Sequence, residues 1–134
     1  MSSSASDRDA EAWVRDTFLA KRYKQGFGKK KAKLTPGGKF EFAAVSDDGS
    51  IVANISTSGY DAAGNMQKVR SDAFFVLLAD AQKKLLVFTE PDMHEAWQKE
   101  QVNGRLPSDI QLVKAELTPA LRRRLDASKR DAAE

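Results

Sequence analysis

The sequence predicts an α/β domain, a small mixed sheet with helices packed on it, and three observations carry that prediction. Lys39 to Ser58 reads as two short strands joined at Asp48-Gly49, a dipeptide that favours a tight hairpin. Met66, Val69, Ala73, Phe74, Leu77, Leu78 and Ala81 form one broad apolar stripe at helical spacing. Leu85-Leu86-Val87-Phe88 is a continuous apolar run between polar flanks, as in a strand buried on both faces, and a strand that follows a helix suits a crossover connection. At 134 residues, with 41% hydrophobic and 31% charged content, the chain is long enough for a single domain with a sizeable core.

The elements follow in order. Residues 1–6 are small and polar and predict a disordered tail. Ser6, with Asp9 three positions on, can open a helix as a capping box. Ala10, Trp13, Val14 and Phe18 then recur at helical spacing, to about Lys24, and Gly26-Phe27-Gly28 ends the helix. A lysine-rich loop is expected next, with a short strand at Ala32 to Thr35 and a turn at Pro36-Gly37-Gly38. After the hairpin comes a loop from Gly59 to Asn65, then the striped helix and the buried strand. Thr89-Glu90-Pro91-Asp92 opens a third helix, with Met93, Ala96 and Trp97 inward, and Asn103-Gly104 closes it. Ile110 to Leu117 reads as a last strand. Thr118-Pro119 starts a final helix with its cap and N1 proline in the right order; Leu121 and Leu125 dock it, and residues 126–134 are expected to fray.

A two-residue turn at Asp48-Gly49 would pair Val45 with Val52, Ala43 with Asn54 and Glu41 with Ser56 on one face of the sheet. Phe42 would meet Ile55, and Ala44 would meet Ala53, on the other. The second face is wholly apolar and is expected to be core. The first turns polar at its far end, where Glu41, Asn54 and Ser56 gather. That end is either a site or simply solvated.

These residues carry a resemblance. Phe42-Ala43-Ala44-Val45-Ser46 and Ile51-Val52-Ala53-Asn54-Ile55-Ser56-Thr57-Ser58 resemble the central hairpin of the restriction-endonuclease-like, PD-(D/E)XK superfamily. The order of elements is similar to that family's core, extended by a helix, a strand and a helix. The resemblance implies a nuclease scaffold whose metal-binding Asp falls on Ala43, whose Glu falls on Asn54 and whose Lys falls on Ser56. Ala43 offers no ligand, Asn54 only a neutral carbonyl oxygen, and Ser56 no cation. Mg²⁺ is a hard cation that takes oxygen ligands, and it would stabilise charge at a phosphate and activate water. Glu41 alone makes a poor site for it, so the resemblance implies a catalytically inactive domain without a metal. Mg²⁺ enters only if the site has been rearranged around Glu41, Glu11 or Asp61. Glu11 lies on the first helix, which sometimes supplies an acid in that superfamily; Asp61 would overhang the hairpin.

Composition narrows the remaining functions. There is no cysteine, hence no disulfide framework and no thiol nucleophile, and His94 is the only histidine, without partners at ligand spacing. No run approaches the roughly 18 apolar residues of a membrane span. The first residues show no secretory leader, so a cytoplasmic location and no membrane partner are expected. The lysine run lacks the Gly-Lys-Ser/Thr of a phosphate-binding loop. The net charge is only +3, yet no acid occurs between Asp16 and Glu41 while Lys21, Arg22, Lys24, Lys29, Lys30, Lys31, Lys33 and Lys39 do. Lys29, Lys30, Lys31 and Lys33, with Lys68 and Arg70 on the striped helix, are the expected contacts to a phosphate backbone, with double-stranded DNA as partner. The alternative is a protein-interaction or structural subunit, or a homodimer. The second alternative is a metal-dependent nuclease with a migrated site.

Overall fold

The computed structural model describes residues 4–60 and 64–133. Ser4 opens the first helix: its Oγ accepts from the Asp7 amide at 3.0 Å, and the Asp7 carboxylate accepts from the Ser4 N–H at 3.2 Å. The capping box therefore sits two residues before the expected Ser6–Asp9 pair, and residues 4–6 are ordered rather than tail. A long-range contact favours this register, because Asp7 also accepts from the Thr57 hydroxyl at 2.7 Å. The helix runs as α1 (Ala5–Trp13), a π-helical segment (Val14–Leu19) and α2 (Ala20–Tyr23), and it ends where Lys24 turns left-handed at φ 59°.

Five strands follow: β1 (Phe27–Lys33), β2 (Lys39–Ser46), β3 (Ile51–Ser56), β4 (Lys83–Phe88) and β5 (Ile110–Lys114), in the spatial order β1-β2-β3-β4-β5. The first three are antiparallel neighbours; β3, β4 and β5 are parallel. Helix α3 (Asn65–Leu78) makes the crossover from β3 to β4, and α4 (Pro91–Val102) that from β4 to β5. The last element is α5 (Pro119–Ala133). It continues through the stretch where fraying is expected, because Lys129 Nζ reaches the Glu90 carboxylate at 2.7 Å.

Helices bury both faces of the central part of the sheet. On one side Ala44, Ile51, Ala53, Ile55, Leu85 and Val87 pack with Ala10, Val14 and Leu19 of the first helix and Leu125 of α5. On the other, Val45, Val52, Leu86 and Phe88 pack with Val69, Ala73 and Val76 of α3 and Met93 and Trp97 of α4. The α/β prediction holds: the domain is a five-stranded mixed sheet flanked by helices. Among the described residues, no helix is long and apolar enough to cross a membrane.

The hairpin keeps its expected register near the turn, with Ala44 opposite Ala53 and Val45 opposite Val52. The turn itself is one step earlier than a two-residue loop on Asp48-Gly49. The Gly49 amide donates to Ser46 O at 2.9 Å, and only Gly49 takes positive φ, at 75°. Asp48 Oδ1 collects three donors, Ser50 N, Ser50 Oγ and Ser46 Oγ, at 2.9, 2.7 and 2.8 Å, which favours this wider loop. These hydrogen bonds hold the Asp48 carboxyl down to about 2.

Beyond Ala44 the expected pairing fails. Against β1, Gly28 faces Val45 but Lys30 faces Phe42, so Lys29 stands opposite two residues, Ala43 and Ala44. That is a β-bulge, which bends its strand and shifts the side-chain alternation by one. Phe42 consequently joins Val45 and Val52 on the α3 side instead of meeting Ile55. Glu41 pairs across β1 with Lys31, not with Ser56. From the bulge onward β1 and β2 leave β3 as an arm that wraps α3. Phe40 stacks on Phe75 at 4.0 Å. Near the tip, Leu34 bridges Ala79, Lys33 O accepts from Asp80 N at 3.0 Å, and Thr35 N donates to Leu78 O at 2.8 Å. The expected lysine loop is thus a strand, held on one edge by β2 and at its end by the turn after α3.

Candidate functional site

The bulge opens a gap between β2 and β3, and Asn54 fills it. Asn54 points to the α3 side of β3, as Val52 does, and is only 6% exposed. Its Oδ1 accepts from the Ala43 amide at 3.3 Å and its Nδ2 donates to the Asp72 carbonyl at 3.1 Å. From the opposite layer the Arg15 guanidinium donates to Ala43 O at 3.4 Å, and it pairs with Glu11 at 3.7 Å. Both backbone polar groups of Ala43 are therefore satisfied by side chains where the ladder has parted, as burial demands.

The expected site residues separate in the structure. Ala43 and Asn54 are in contact, and Ser56 lies one pleat further along the same face of β3, where its Oγ accepts from Ser58 N at 3.4 Å. Glu41 is carried away on the exposed outer face of the arm. Glu11 is brought to the gap through Arg15. Asp61 lies outside the described residues.

Two groups at the gap were missed from sequence. Burial pushes the Asp72 carboxyl up to about 6; Lys68 one turn earlier opposes the shift and the Glu11 charge adds to it. Asp72 had a visible signal, since Val69, Asp72, Ala73 and Val76 recur at the spacing of a buried helical stripe, with an acid in it. Arg15 had none, because its target is a backbone carbonyl freed by the bulge. The gap thus gathers Arg15 with its partner Glu11 from the first helix, Asn54 from β3 and Asp72 from α3, with the exposed Lys68 near enough to act on the Asp72 charge. Among the described residues, no three acids or histidines are placed to hold a metal ion.

The cations fall into two groups. Lys29, Lys30, Lys31 and Lys33 are all exposed on β1, and none has an ion-pair partner among the described residues. Alternation from Phe27, which packs with the first helix, puts Lys29, Lys31 and Lys33 on the outer face of the arm. Lys68 and Arg70 belong to the other layer, on α3. Arg70 is engaged there: it lies 5.4 Å over the Trp97 ring and 3.6 Å from Glu100. The sequence joined these residues into one surface; the structure places them on opposite sides.

A further polar cluster lies at the C-terminal ends of β3 and β4. Glu90, 8% exposed, accepts from Arg122 at 2.9 and 3.1 Å, from Lys129 at 2.7 Å and from the Thr89 hydroxyl at 2.9 Å. Arg122 also donates to Thr89 O at 2.7 Å and Asp126 at 3.2 Å. The Glu90 and Arg122 partners lie within the domain, and the cluster serves to seat α5. His94 lies near the Phe88 ring at 5.7 Å, and burial lowers its pKa. No family model, no curated protein and no solved structure matches the chain.

Proposed function

We propose that this domain binds nucleic acid through the phosphate backbone, using the exposed lysines of the β1–β2 arm on a nuclease-like scaffold without catalysis. The observation that carries it is the set Lys29, Lys30, Lys31 and Lys33 on β1, all exposed and without an ion pair among the described residues. Unpaired cations at regular strand spacing meet phosphates without reading sequence. Asn54, bonded on both sides, favours the inactive state: it holds the strands together where a nuclease would hold a metal. Against double-stranded DNA, four phosphate contacts cost roughly two orders of magnitude in affinity between about 50 and 200 mM salt. Binding that ignores salt, or survives replacement of all four lysines by glutamine, would overturn the proposal.

A second function has one specific observation behind it. Glu11 and Asp72 influence each other electrostatically across the gap, with Lys68 nearby. Two carboxylates and a lysine are what a migrated hydrolytic site would use with Mg²⁺. It predicts Mg²⁺- or Mn²⁺-dependent cleavage of DNA that disappears in Asp72→Asn; an unchanged substrate after long incubation removes it. A protein-interaction role on the same scaffold is left if neither DNA experiment succeeds, and a complex or homodimer in solution is its mark.

A further inference from the structure

The π-helical segment Val14–Leu19 creates a feature that an α-helix would not have. In an α-helix, positions five apart lie about 140° apart around the axis; bonding from i to i+5 brings them onto one side. Trp13 and Phe18 are five apart, and their rings meet at 6.2 Å, tilted by 36°. Together they wall a groove of about 320 Å³, completed by Thr17, Lys21 and Arg22. That size falls in the range of small-ligand sites, about 300–1,000 Å³. Both rings are partly buried against the core, so their positions are fixed, while Lys21 and Arg22 are exposed at the rim without an ion pair among the described residues.

The groove lies on the same side of the sheet as the basic arm. Phe27, at the start of β1, belongs to the core against which Trp13 and Phe18 pack, and it touches Tyr23 at 6.1 Å. Lys29 and Lys31 continue on that side. An apolar aromatic wall with cations at its rim complements one chemistry above others: a flat aromatic group attached to a phosphate. We infer that Trp13 and Phe18 form a stacking site for an unpaired base, with Lys21 and Arg22 on the adjoining phosphate. The inference rests on the nucleic-acid function proposed above and adds what the arm lacks, a preference for a single-stranded segment. Stacking on aromatic side chains tolerates any base, so the preference is for strand state and not for sequence.

The test compares a blunt DNA duplex with the same duplex carrying a single-stranded oligo(dT) overhang. The overhang is expected to tighten binding about 10-fold in the wild-type chain, and this gain disappears in Trp13→Leu and Phe18→Leu while blunt-duplex affinity stays unchanged. Both variants keep apolar bulk and remove a ring face. If a variant unfolds, the wild-type fluorescence decides instead. Trp97 is 1% exposed and out of reach, so quenching by the overhang reports Trp13. Equal affinity for both duplexes, or no quenching at saturation, overturns the stacking site and leaves the phosphate-binding arm standing. Failure of either duplex to bind at low salt overturns the arm itself, and the stacking site with it.

Discussion

Strands β4 and β1 belong to one sheet, yet Leu85, Leu86, Val87 and Phe88 are all buried, while Lys29, Lys30, Lys31 and Lys33 are all exposed. The parallel half, β3 to β5, is covered on both faces by helices, and its strands bring their own apolar residues to each layer. The arm brings little: Phe27 and Ala32 pack inward from β1, and Phe40 and Phe42 do the rest from β2. A strand such as β4 is driven by its own burial. A strand such as β1 is a strand because β2 and the turn after α3 offer its backbone partners. Lysines along such an edge also discourage pairing with another chain. The arm is therefore free to carry charge that the parallel half cannot accommodate.

If this division is right, removing Phe88 should have the largest effect on stability. Phe88→Ala is expected to cost about 3–5 kcal/mol in urea unfolding. A loss below about 1 kcal/mol would mean that the parallel half is not the dominant core.

Asp72 sits between the two regions and should show pH dependence. Its carboxyl is raised from 3.8 to about 6 by burial. Between those values the unfolded chain has lost the proton that the folded chain still holds. Stability therefore falls as pH rises through that window and is flat above it. Asp72→Asn should remove the slope and stabilise the protein above about pH 6 by roughly 1–3 kcal/mol. Unfolding at low and neutral pH with the same difference in variant and wild type would show that Asp72 is not desolvated.

The join between the regions is sharpened by Asn54→Ala, expected to cost roughly 1–2 kcal/mol by leaving the Ala43 amide without its partner. Hydrogen exchange at Ala43 should quicken while exchange along β4 stays at the global rate. The smallest effect belongs to the arm. Glutamine at Lys29, Lys30, Lys31 and Lys33 together should shift stability by no more than about 0.5 kcal/mol, although the same change should abolish salt-dependent DNA binding. A cooperative loss of structure would mean that the lysines hold the arm.

Much of the architecture was legible because it rests on local patterns. The stripe on α3, apart from Phe74, which is exposed, and Ala81, which lies past the helix end, the apolar run of β4, the Thr118-Pro119 start of α5 and the Asn103-Gly104 stop of α4 each announce themselves within a few residues. For α5 the structure adds the cap itself, Leu121 N donating to Thr118 Oγ1 at 3.2 Å. The candidate site was legible only in part. Ala43 and Asn54 do meet, but through the Asn54 side chain across the gap and not as the expected ladder pair, while Glu41 and Phe42 were assigned to the wrong faces because one bulged residue inverts everything beyond it.

By itself the sequence determined the α/β class, the helices and the buried strand, because burial of a periodic apolar pattern has few solutions. Only the tertiary structure decided that the lysine run is a strand, that Asn54 spans a gap, that Arg15 reaches the Ala43 carbonyl from the opposite layer, and that Trp13 and Phe18 share one wall. Those outcomes depend on a bulge, a change of helical pitch and contacts between residues distant in the chain. Each is set by which backbone groups find partners after folding, and no short window of sequence records that.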